Sequence, residues 1–513
     1  MTTETSYRLE AGHTITVSVV GASGHLRCRD DAMIGSPVVA GTPVAFGPYA
    51  ITKVFLVQDE GRNATVTIAE AGSLVTAAEK TNLDYIPIVQ PNAFARIVAT
   101  LQDGVLSTSI AVLSDSTAVG STRWVNQLGL WLASKFPNYN VALRSFIDGS
   151  PGDYGSTQFL QGIVERSIRF PGGGLSRGQA VADVGDWTSD LDVSAKVSLD
   201  NWTPAATNAI VARYGGGGSS FILFVTSDGK LHFNVYAGSG SSATSTNPLG
   251  FTNGTTNWVR GTYVQSTGVI TVYTSSNGVT WSSVGTTTSA LTSGLNKSAT
   301  QYYEIGAYNC TASTLGGGTQ SPLTGNIFEI QIRNGILGPI MNIQPIEAWQ
   351  KYVSDLTSLA GNPTIYIDNG GISGATIGHL SDSTRLPMLL RNTQPSLVIL
   401  GTSINDGYVV GVSQITSLWD SWLAAIKSRA PLAEICIMTE SPILLANSEA
   451  HNNRLRLLMA WAARNGIYCV DTYRAFVNTG SPNSYIAGDN THPTAAGSLL
   501  QASAFEAQFS VHM

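Results

Sequence analysis

Five residues in four short segments have the chemical groups that acyl transfer requires. They are Ser116 in SDST, Gly374 in GISGAT, Asn405 in SIND, and Asp489 and His492 in DNTHP. A serine hydroxyl attacks a carbonyl when a histidine takes its proton and a carboxylate orients that histidine, while N–H donors stabilise the oxyanion. Each segment alone also fits a helix cap or a turn. Their joint occurrence in this order favours catalysis.

These segments lie at strand ends or in loops of one predicted α/β domain, where a parallel sheet opens a crevice. The run SIAVLSDST, which begins at Ser109, has strand length, and an amphipathic helix that ends before Pro137 and the strand VALRSFID come next. The same texture resumes near residue 343. We predict the strands TIYIDN, LVILGTS, EICIMTE and IYCVDT, and helices at 346–359, 380–391, 413–429, 449–465 and from 494. This alternation predicts a parallel sheet with helices on both faces.

Between these two parts, residues 168–338 alternate apolar and polar side chains by twos. SDGK and SSNG are turn signals that join strands of matched length. About eight to twelve strands without helices indicate a β-sandwich of jelly-roll type. The predicted fold class is therefore multidomain α/β plus all-β, in which a β-sandwich splits a parallel-sheet domain.

We also expect a small N-terminal β-domain, because TITVSVV, PVAFG, AITKVFLVQ and ATVTIAE read as short strands. It is a candidate anchor to a larger assembly. The predicted organisation is a β-domain, a connector, the first part of the α/β domain, the β-sandwich and the second part, at 1–75, 76–108, 109–160, 161–340 and 341–513.

The α/β part resembles the SGNH hydrolases, also called GDSL esterases, over residues 105–155 and 340–510. SDST is similar to the block that holds the nucleophile, GISGAT and SIND to the two oxyanion blocks, and DNTHP to the D-x-x-H block. The resemblance implies that Ser116 is the nucleophile, and that His492 is the base oriented by Asp489. It implies an oxyanion hole formed by the N–H groups of Ser116 and Gly374 and the amide of Asn405, without a metal or organic cofactor.

Two positions depart from the pattern of this family. Ser114 and Ser403 stand where the first and third blocks usually have glycine. Because both replacements are small, we expect a slightly tighter turn and an intact site.

Other motifs are interpreted as structural. GLSRG, at 174–178, fits a G-x-S-x-G elbow, but it lacks a buried strand before it and a helix after it. His232, His379 and His451 have no acid at a fixed spacing. Four aspartates fit either a solvated loop or a calcium site: Asp183, Asp186, Asp190 and Asp192. Cys436 and Cys469 are predicted to be buried thiols.

Composition excludes several classes of function. The 513 residues have a net charge of −6, which provides no basic surface for nucleic acid. With 43% hydrophobic residues, disorder is not expected. No apolar run approaches the ~18 residues that span a bilayer, so we expect no membrane insertion. The start MTTETSYRLEAGH does not read as a signal peptide.

The predicted β-sandwich resembles concanavalin-like and laminin-G-like domains, which commonly bind glycans. Its tryptophans are either core residues or platforms for sugar rings: Trp187, Trp202, Trp258 and Trp281. Together the two resemblances imply a serine esterase that removes O-acyl groups, most simply O-acetyl, from a bacterial cell-surface polysaccharide. The whole layout resembles bacteriophage tail proteins, which implies a virion location and a homotrimer or larger assembly. The alternatives are a non-enzymatic glycan-binding adhesin and a general short-chain lipid esterase.

Overall fold

The computed structural model describes the chain in segments. Within the segments given next, side chains are described from residue 94 onward, except at 179, 350, 412–415, 448–450 and 453. The described segments are seven strands before residue 94, and then 94–150, 152–162, 164–173, 177–179, 187–214, 219–297, 303–308, 321–342, 345–350, 358–391, 395–401, 404–406, 412–445 and 448–513. The chain divides into two compact units, Met1–Pro91 and Asn92–Met513.

The first unit contains seven described strands in two antiparallel sheets. They are β1 (Glu4–Leu9), β2 (His13–Val20), β3 (Gly24–Arg29), β4 (Ser36–Val38), β5 (Val44–Phe46), β6 (Thr52–Val57) and β7 (Asn63–Glu70). The sheets are ordered β1-β6-β3-β4 and β5-β2-β7. The predicted strands TITVSVV and ATVTIAE occur here as β2 and β7, which pair along their whole length.

The second unit contains an eight-stranded sheet that is parallel except at one edge. Its strands are β8 (Thr108–Ser114), β9 (Asn140–Ile147), β10 (Asp153–Tyr154), β11 (Gln158–Gln161), β25 (Thr364–Gly371), β26 (Leu397–Gly401), β27 (Glu434–Met438) and β28 (Tyr468–Val470). The order is β10-β9-β25-β8-β26-β27-β28, and β11 also pairs with β9. Strands β10 and β11 run antiparallel to β9, whereas the other neighbours are parallel.

Helices cover both faces of this sheet because its central strands are apolar on both sides. In β8, Ile110 and Val112 belong to one core cluster, and Ala111 and Leu113 to the other. This pattern is typical of a parallel strand buried between two helical layers. The helices are α1 (Ala95–Asp103), α2 (Trp124–Lys135), α3 (Ile377–Leu380), α4 (Leu386–Leu389), α5 (Val412–Arg429), α6 (Ser448–Arg464), α7 (Thr472–Asn478) and α8 (Ala495–Ser510), and 3-10 turns lie at Ser116–Ala118, Ile346–Gln350 and Pro482–Tyr485.

Between β11 and β25 the chain forms two further antiparallel sheets, and we call residues 167–360 the two-sheet segment. Its strands are β12 (Ser167–Pro171), β13 (Gly178–Gln179), β14 (Leu191–Leu199), β15 (Asn208–Arg213), β16 (Phe221–Val225), β17 (Leu231–Tyr236), β18 (Gly240–Thr244), β19 (Thr256–Val264), β20 (Val269–Ser275), β21 (Ser282–Thr288), β22 (Glu304–Ile305), β23 (Thr324–Asn334) and β24 (Ser358–Ala360). The sheets are ordered β21-β20-β19-β14-β23-β12-β24 and β13-β22-β15-β16-β17-β18. Side chains from both sheets share one buried apolar cluster.

Two helix predictions need correction, and one helix was missed. The helix predicted at 346–359 is wrong at its end, because Ser358–Ala360 forms strand β24 and pairs with Ser167–Arg169. The helix predicted at 380–391 is two short helices, α3 and α4, separated by a turn in which Asp382 accepts the N–H groups of Thr384 and Arg385. Helix α7 was not predicted; the side chain of Asp471 caps it by accepting the N–H of Arg474.

The other predicted helices of the α/β part are confirmed within two residues at each end where both ends were predicted. None of the described helices is long and apolar enough to cross a membrane.

Candidate active site

The structure brings Ser116, His492 and Asp489 into one hydrogen-bonded chain, although Ser116 and His492 are 376 residues apart. Ser116 Oγ lies 2.7 Å from His492 Nε2, and His492 Nδ1 lies 2.7 Å from Asp489 Oδ2. Since the carboxylate can only accept, Nδ1 carries the proton and Nε2 is free to accept the serine proton. The arrangement provides a nucleophile, a base and a group that orients the base.

The loop that carries Asp489 and His492 is fixed by its own backbone. Asp489 Oδ1 accepts the N–H groups of Thr491 and His492, both at 2.9 Å. Asn490 has a left-handed φ of 60°, which asparagine tolerates better than most residues. These hydrogen bonds, together with the His492 side chain, lower the pKa of Asp489 to about 2. The orienting carboxylate is therefore ionised across the neutral range, although its side chain is half exposed.

Ser116 begins a 3-10 turn directly after β8. Asp115 caps this turn by accepting the N–H of Thr117 at 2.9 Å. Because β8 lies between β25 and β26, the turn stands at the carboxyl edge of three neighbouring strands. In α/β sheets this edge is where ligands bind, at the point where the strand order reverses.

A buried pair of acids lies beneath the nucleophile turn. The N–H of Ile404 donates to Asp115 Oδ2 at 2.8 Å and to Glu440 Oε1 at 2.9 Å. Both acids are fully buried. Burial and the neighbouring Asp115 raise the pKa of Glu440 well above its ordinary value, which favours the protonated carboxyl. The pair ties the segment of Ser116 to the segment of Asn405.

The two predicted oxyanion segments lie on either side of this turn. Gly374 follows β25 with a left-handed φ of 75°, which suits glycine. The Asn405 side-chain amide donates to Ala375 O at 3.1 Å, which holds it against the loop of Gly374. The N–H of Ile372 donates to Ser114 O at 3.1 Å, so the loop is also fixed to the nucleophile strand.

Serine is accommodated at position 114 because its neighbour is glycine. Ser114 ends β8 and is not among the described residues with left-handed backbone angles. Its side chain lies against Gly401, where any Cβ would collide with Ser114 Oγ. Position 114 therefore needs no glycine, and position 401 does. Ser403 lies outside the described residues.

A second buried network supports the Asn405 segment. Asp406 Oδ1 accepts the N–H of Ile377 at 2.9 Å, and Arg454 donates to Asp406 O. His451 Nε2 donates to Ser441 O at 3.0 Å, so Nδ1 faces Arg454 as an acceptor. Burial lowers the pKa of His451 to about 4, so this histidine is neutral and has a structural role.

The remaining candidates lie outside this constellation. His379 contacts Arg385, and His232 stacks on Phe224. Asp190 accepts the N–H of Gln265, and no group of three metal-binding side chains occurs among the described residues. Asp183, Asp186 and residues 174–176 lie outside them, while Arg177 of the GLSRG motif pairs with Glu304 in the core. Both predicted buried thiols, Cys436 and Cys469, are buried.

The sequence reasoning missed Glu440 and Arg454. Glu440 stands two residues beyond β27 at the carboxyl edge of the sheet. The last glutamate of EICIMTE was therefore the feature of the sequence that could have indicated it. Arg454 gave no signal, because it lies within helix α6 and acts across the fold.

Residues 341–500 match the model of the GDSL-like Lipase/Acylhydrolase family. The chain carries a GDSL-like lipase/acylhydrolase domain. The match indicates a hydrolase at the level of the family and includes Gly374, Asn405, Asp489 and His492. Ser116 lies outside the matched range, and its contact with His492 is seen only in the fold. No curated protein matches the chain.

The chain is also similar to several solved structures. A peptidoglycan O-acetylesterase is 12% identical and covers 82% of this chain and 95% of its own, with a TM-score of 0.37. A putative GDSL-like lipase from Parabacteroides merdae is 19% identical, and the match covers 29% of this chain and 74% of the lipase, with a TM-score of 0.25. A sialidase carbohydrate-binding module from Ruminococcus gnavus, bound to sialyllactose, is 13% identical. The match covers 34% of this chain and 92% of the module, with a TM-score of 0.24.

Proposed function

We propose that the protein is a serine esterase that removes O-acetyl groups from a bacterial cell-surface polysaccharide. The observation that carries the esterase chemistry is the hydrogen-bonded chain from Ser116 through His492 to Asp489. If these residues only capped helices or formed turns, their side chains would not need to contact one another. Their meeting across 376 residues of sequence favours a catalytic role.

The proposed mechanism starts from the protonation states in this chain. Ser116 Oγ attacks the acetyl carbonyl as its proton passes to His492 Nε2. The oxyanion is stabilised by the N–H groups of Ser116 and Gly374 and by the Asn405 amide, and each such donor contributes ~10²–10³ in rate. Collapse of the tetrahedral intermediate expels the sugar oxygen, which takes the proton from His492.

The acetyl-serine is then hydrolysed. Water loses a proton to His492 and attacks the carbonyl, and a second collapse releases acetate and returns the proton to Ser116. Asp489 stays ionised and holds the imidazole in one tautomer throughout. Every proton transfer in this sequence is assigned to a side chain of the hydrogen-bonded chain.

We assign the substrate class from the two-sheet segment. We propose that it is a concanavalin-like or laminin-G-like β-sandwich inserted in the hydrolase domain, as predicted for residues 161–340, with β24 extending its edge to Ala360. Of its four candidate tryptophans, Trp187, Trp202 and Trp258 are buried in the core, whereas Trp281 keeps part of its ring accessible. An accessible tryptophan suits the apolar face of a sugar ring. The bacteriophage-tail location and the homotrimer stay predictions from the sequence.

Acetate release from O-acetylated capsular and O-antigen polysaccharides tests this function. We expect the wild-type protein to release acetate and Ser116→Ala to release none above background. Long-chain aryl esters should be poor substrates. Efficient cleavage of long-chain esters without acetate release from any polysaccharide would favour a lipid esterase. Polysaccharide binding without turnover of any ester would favour an adhesin.

A further inference from the structure

A cavity of about 310 Å³ lies between the α/β sheet and the two-sheet segment. One wall is formed by Asp148–Ser150 and Gly152–Asp153, which follow β9. The other wall contains Arg260, Trp281 and Arg333 of the two-sheet segment. The volume is at the lower end of the ~300–1,000 Å³ typical of small-molecule sites.

The cavity wall lies toward the same edge of the sheet as Ser116. Asn369 of β25 is in register with Val112 of β8 on one side and with Ser145 of β9 on the other. Ile147, which lines the cavity, is therefore level with Ser114, two strands away. At ~4.8 Å between strands, this places the cavity wall ~10 Å from the end of β8. If a polysaccharide places an ester at Ser116, a sugar next to the acetylated sugar in the same chain can reach the cavity.

The walls are fixed relative to each other by buried ion pairs. Arg144 of β9 contacts Asp368 at 2.7 Å and Glu329 of β23 at 3.8 Å, and Arg391 contacts Glu329 at 2.8 Å. Burial raises the pKa of Glu329, but the two guanidinium groups more than offset it, and the pKa is lowered overall. Glu329 thus stays charged and connects the two-sheet segment to the sheet of the active site.

The charged groups that line the cavity are paired. Arg260 forms two hydrogen bonds to Asp192, at 2.8 and 2.6 Å, and Arg333 contacts Asp153 at 2.7 Å. Asp148 pairs with Arg385, which stands just outside the lining. Three aspartates and three arginines give no net charge. Such a site offers donors and acceptors to hydroxyl groups and gives no advantage to an anion.

Trp281 is presented to the cavity by a rigid turn. Asn277 Oδ1 accepts the N–H groups of Val279 and Thr280, both at 2.9 Å. The guanidinium of Arg260 lies 5.3 Å from the Trp281 ring centroid, and Asp192 holds that guanidinium in place. The ring orientation is therefore set before a ligand arrives, which reduces the entropic cost of binding.

The cavity is also connected to the oxyanion loop. Arg385 contacts Asp148 at 3.2 Å and also contacts His379. His379 lies in α3, which begins three residues after Gly374. Arg385 and His379 thus join the cavity wall to the helix that follows Gly374.

We propose that this cavity binds an uncharged sugar ring of the polysaccharide, one or two units from the acetylated sugar, with Trp281 against the ring and the Arg260–Asp192 and Arg333–Asp153 pairs on its hydroxyls. The inference rests on the proposed function, since it identifies where the chain of that substrate lies. It adds a preference for neutral over anionic repeat units.

The test compares one variant with two controls on two substrates. Trp281→Ala is measured beside Trp281→Phe, which keeps an aromatic ring, and Leu432→Ala, an exposed residue just before β27 at the opposite edge of the sheet. For each protein we measure kcat/KM for acetate release from O-acetylated neutral polysaccharide and for hydrolysis of an aryl acetate. The ratio of the two values reports the cavity, because an aryl acetate is too small to reach both sites.

We expect Trp281→Ala to lower this ratio about tenfold, mainly through KM, and Trp281→Phe to lower it much less. Leu432→Ala should leave the ratio unchanged. An unchanged ratio in Trp281→Ala would overturn the proposal while leaving the esterase intact.

A binding measurement separates failure of the cavity from failure of the function. Ser116→Ala is applied to immobilised capsular and O-antigen polysaccharides, with and without Trp281→Ala. Binding of neutral polysaccharides that the second change weakens supports the cavity even if the wild-type protein releases no acetate. Equal binding by both proteins, no binding, or binding confined to anionic polysaccharides would overturn it.

Discussion

Replacing Glu440 tests whether the buried acid pair holds the nucleophile turn. Burial and Asp115 raise the pKa of this carboxyl well above the ordinary value, which favours the protonated form in the folded protein. The unfolded chain loses that proton above about pH 4.5. A raised pKa of this kind destabilises the fold as pH increases, by up to ~1.4 kcal/mol of unfolding free energy per pH unit between the unfolded and the folded pKa.

Glu440→Gln removes this proton without removing the hydrogen bonds. The glutamine amide can donate to Asp115 and accept the N–H of Ile404 in place of the carboxyl. We therefore expect the variant to gain stability relative to the wild-type protein as pH rises, by up to ~2–3 kcal/mol from pH 5 to pH 7. Glu440→Ala, in contrast, leaves buried polar groups without a partner and should cost ~2–3 kcal/mol at either pH.

Denaturant unfolding at pH 5, 6 and 7 measures these differences, and ester hydrolysis reports the turn. Asp103→Asn, an exposed acid at the end of α1, is the control for a change of charge alone. Glu440→Gln should retain most of the activity, whereas Glu440→Ala should lose up to ~10²-fold through displacement of Ser116. Parallel stability curves for wild-type protein and Glu440→Gln would refute a proton held at this position.

Three further changes test the site. Asp489→Asn should lower kcat ~10³–10⁴-fold, since the imidazole loses its orienting acceptor; an unchanged kcat would show that His492 is oriented in another way. Because the pKa of Asp489 is lowered to about 2, its charge is present above that pH and lost only below it. The pH profile of kcat/KM between pH 4 and 8 should therefore contain a single ionisation on its acid side, and two would contradict this assignment. Asn405→Ala should cost ~10²–10³ in kcat with little change in thermal stability. In Gly374→Ala the new Cβ meets no atom within 4 Å, but the alanine must adopt a left-handed φ, so the free energy of unfolding should fall by ~1–2 kcal/mol. Gly374→Asn should lower it less, because asparagine tolerates this φ. Equal losses in the two variants would exclude backbone strain as the cause.

The sequence predicts the strands of the α/β sheet well because these strands are buried on both faces. Runs such as SIAVLSDST are continuous, apolar and of strand length, and they end in small polar residues at the reactive edge. The candidate site residues are predicted for the same reason, since parallel strands bring their carboxyl ends to one edge. The meeting of Ser116 with His492 follows from this topology once the two-sheet segment is recognised as an interruption.

Features that depend on distant pairing could not be predicted. The helix predicted at 346–359 gives way to β24 at Ser358–Ala360, because Ser167–Arg169 offers a strand edge to pair with. The acid pair of Asp115 and Glu440 forms only because β8 and β27 lie on either side of β26. The cavity beside Trp281 depends on how two sheets meet, and no local pattern encodes that arrangement.

The central claim is that Ser116 is the nucleophile of an esterase. Hydrolysis of a short-chain aryl acetate tests this role most directly, measured for wild-type protein, Ser116→Ala and Ser114→Ala, a matched control at the end of β8. We expect turnover by wild-type protein and by Ser114→Ala, and a loss on the order of 10⁶-fold in Ser116→Ala. Equal turnover by wild-type protein and Ser116→Ala would contradict it.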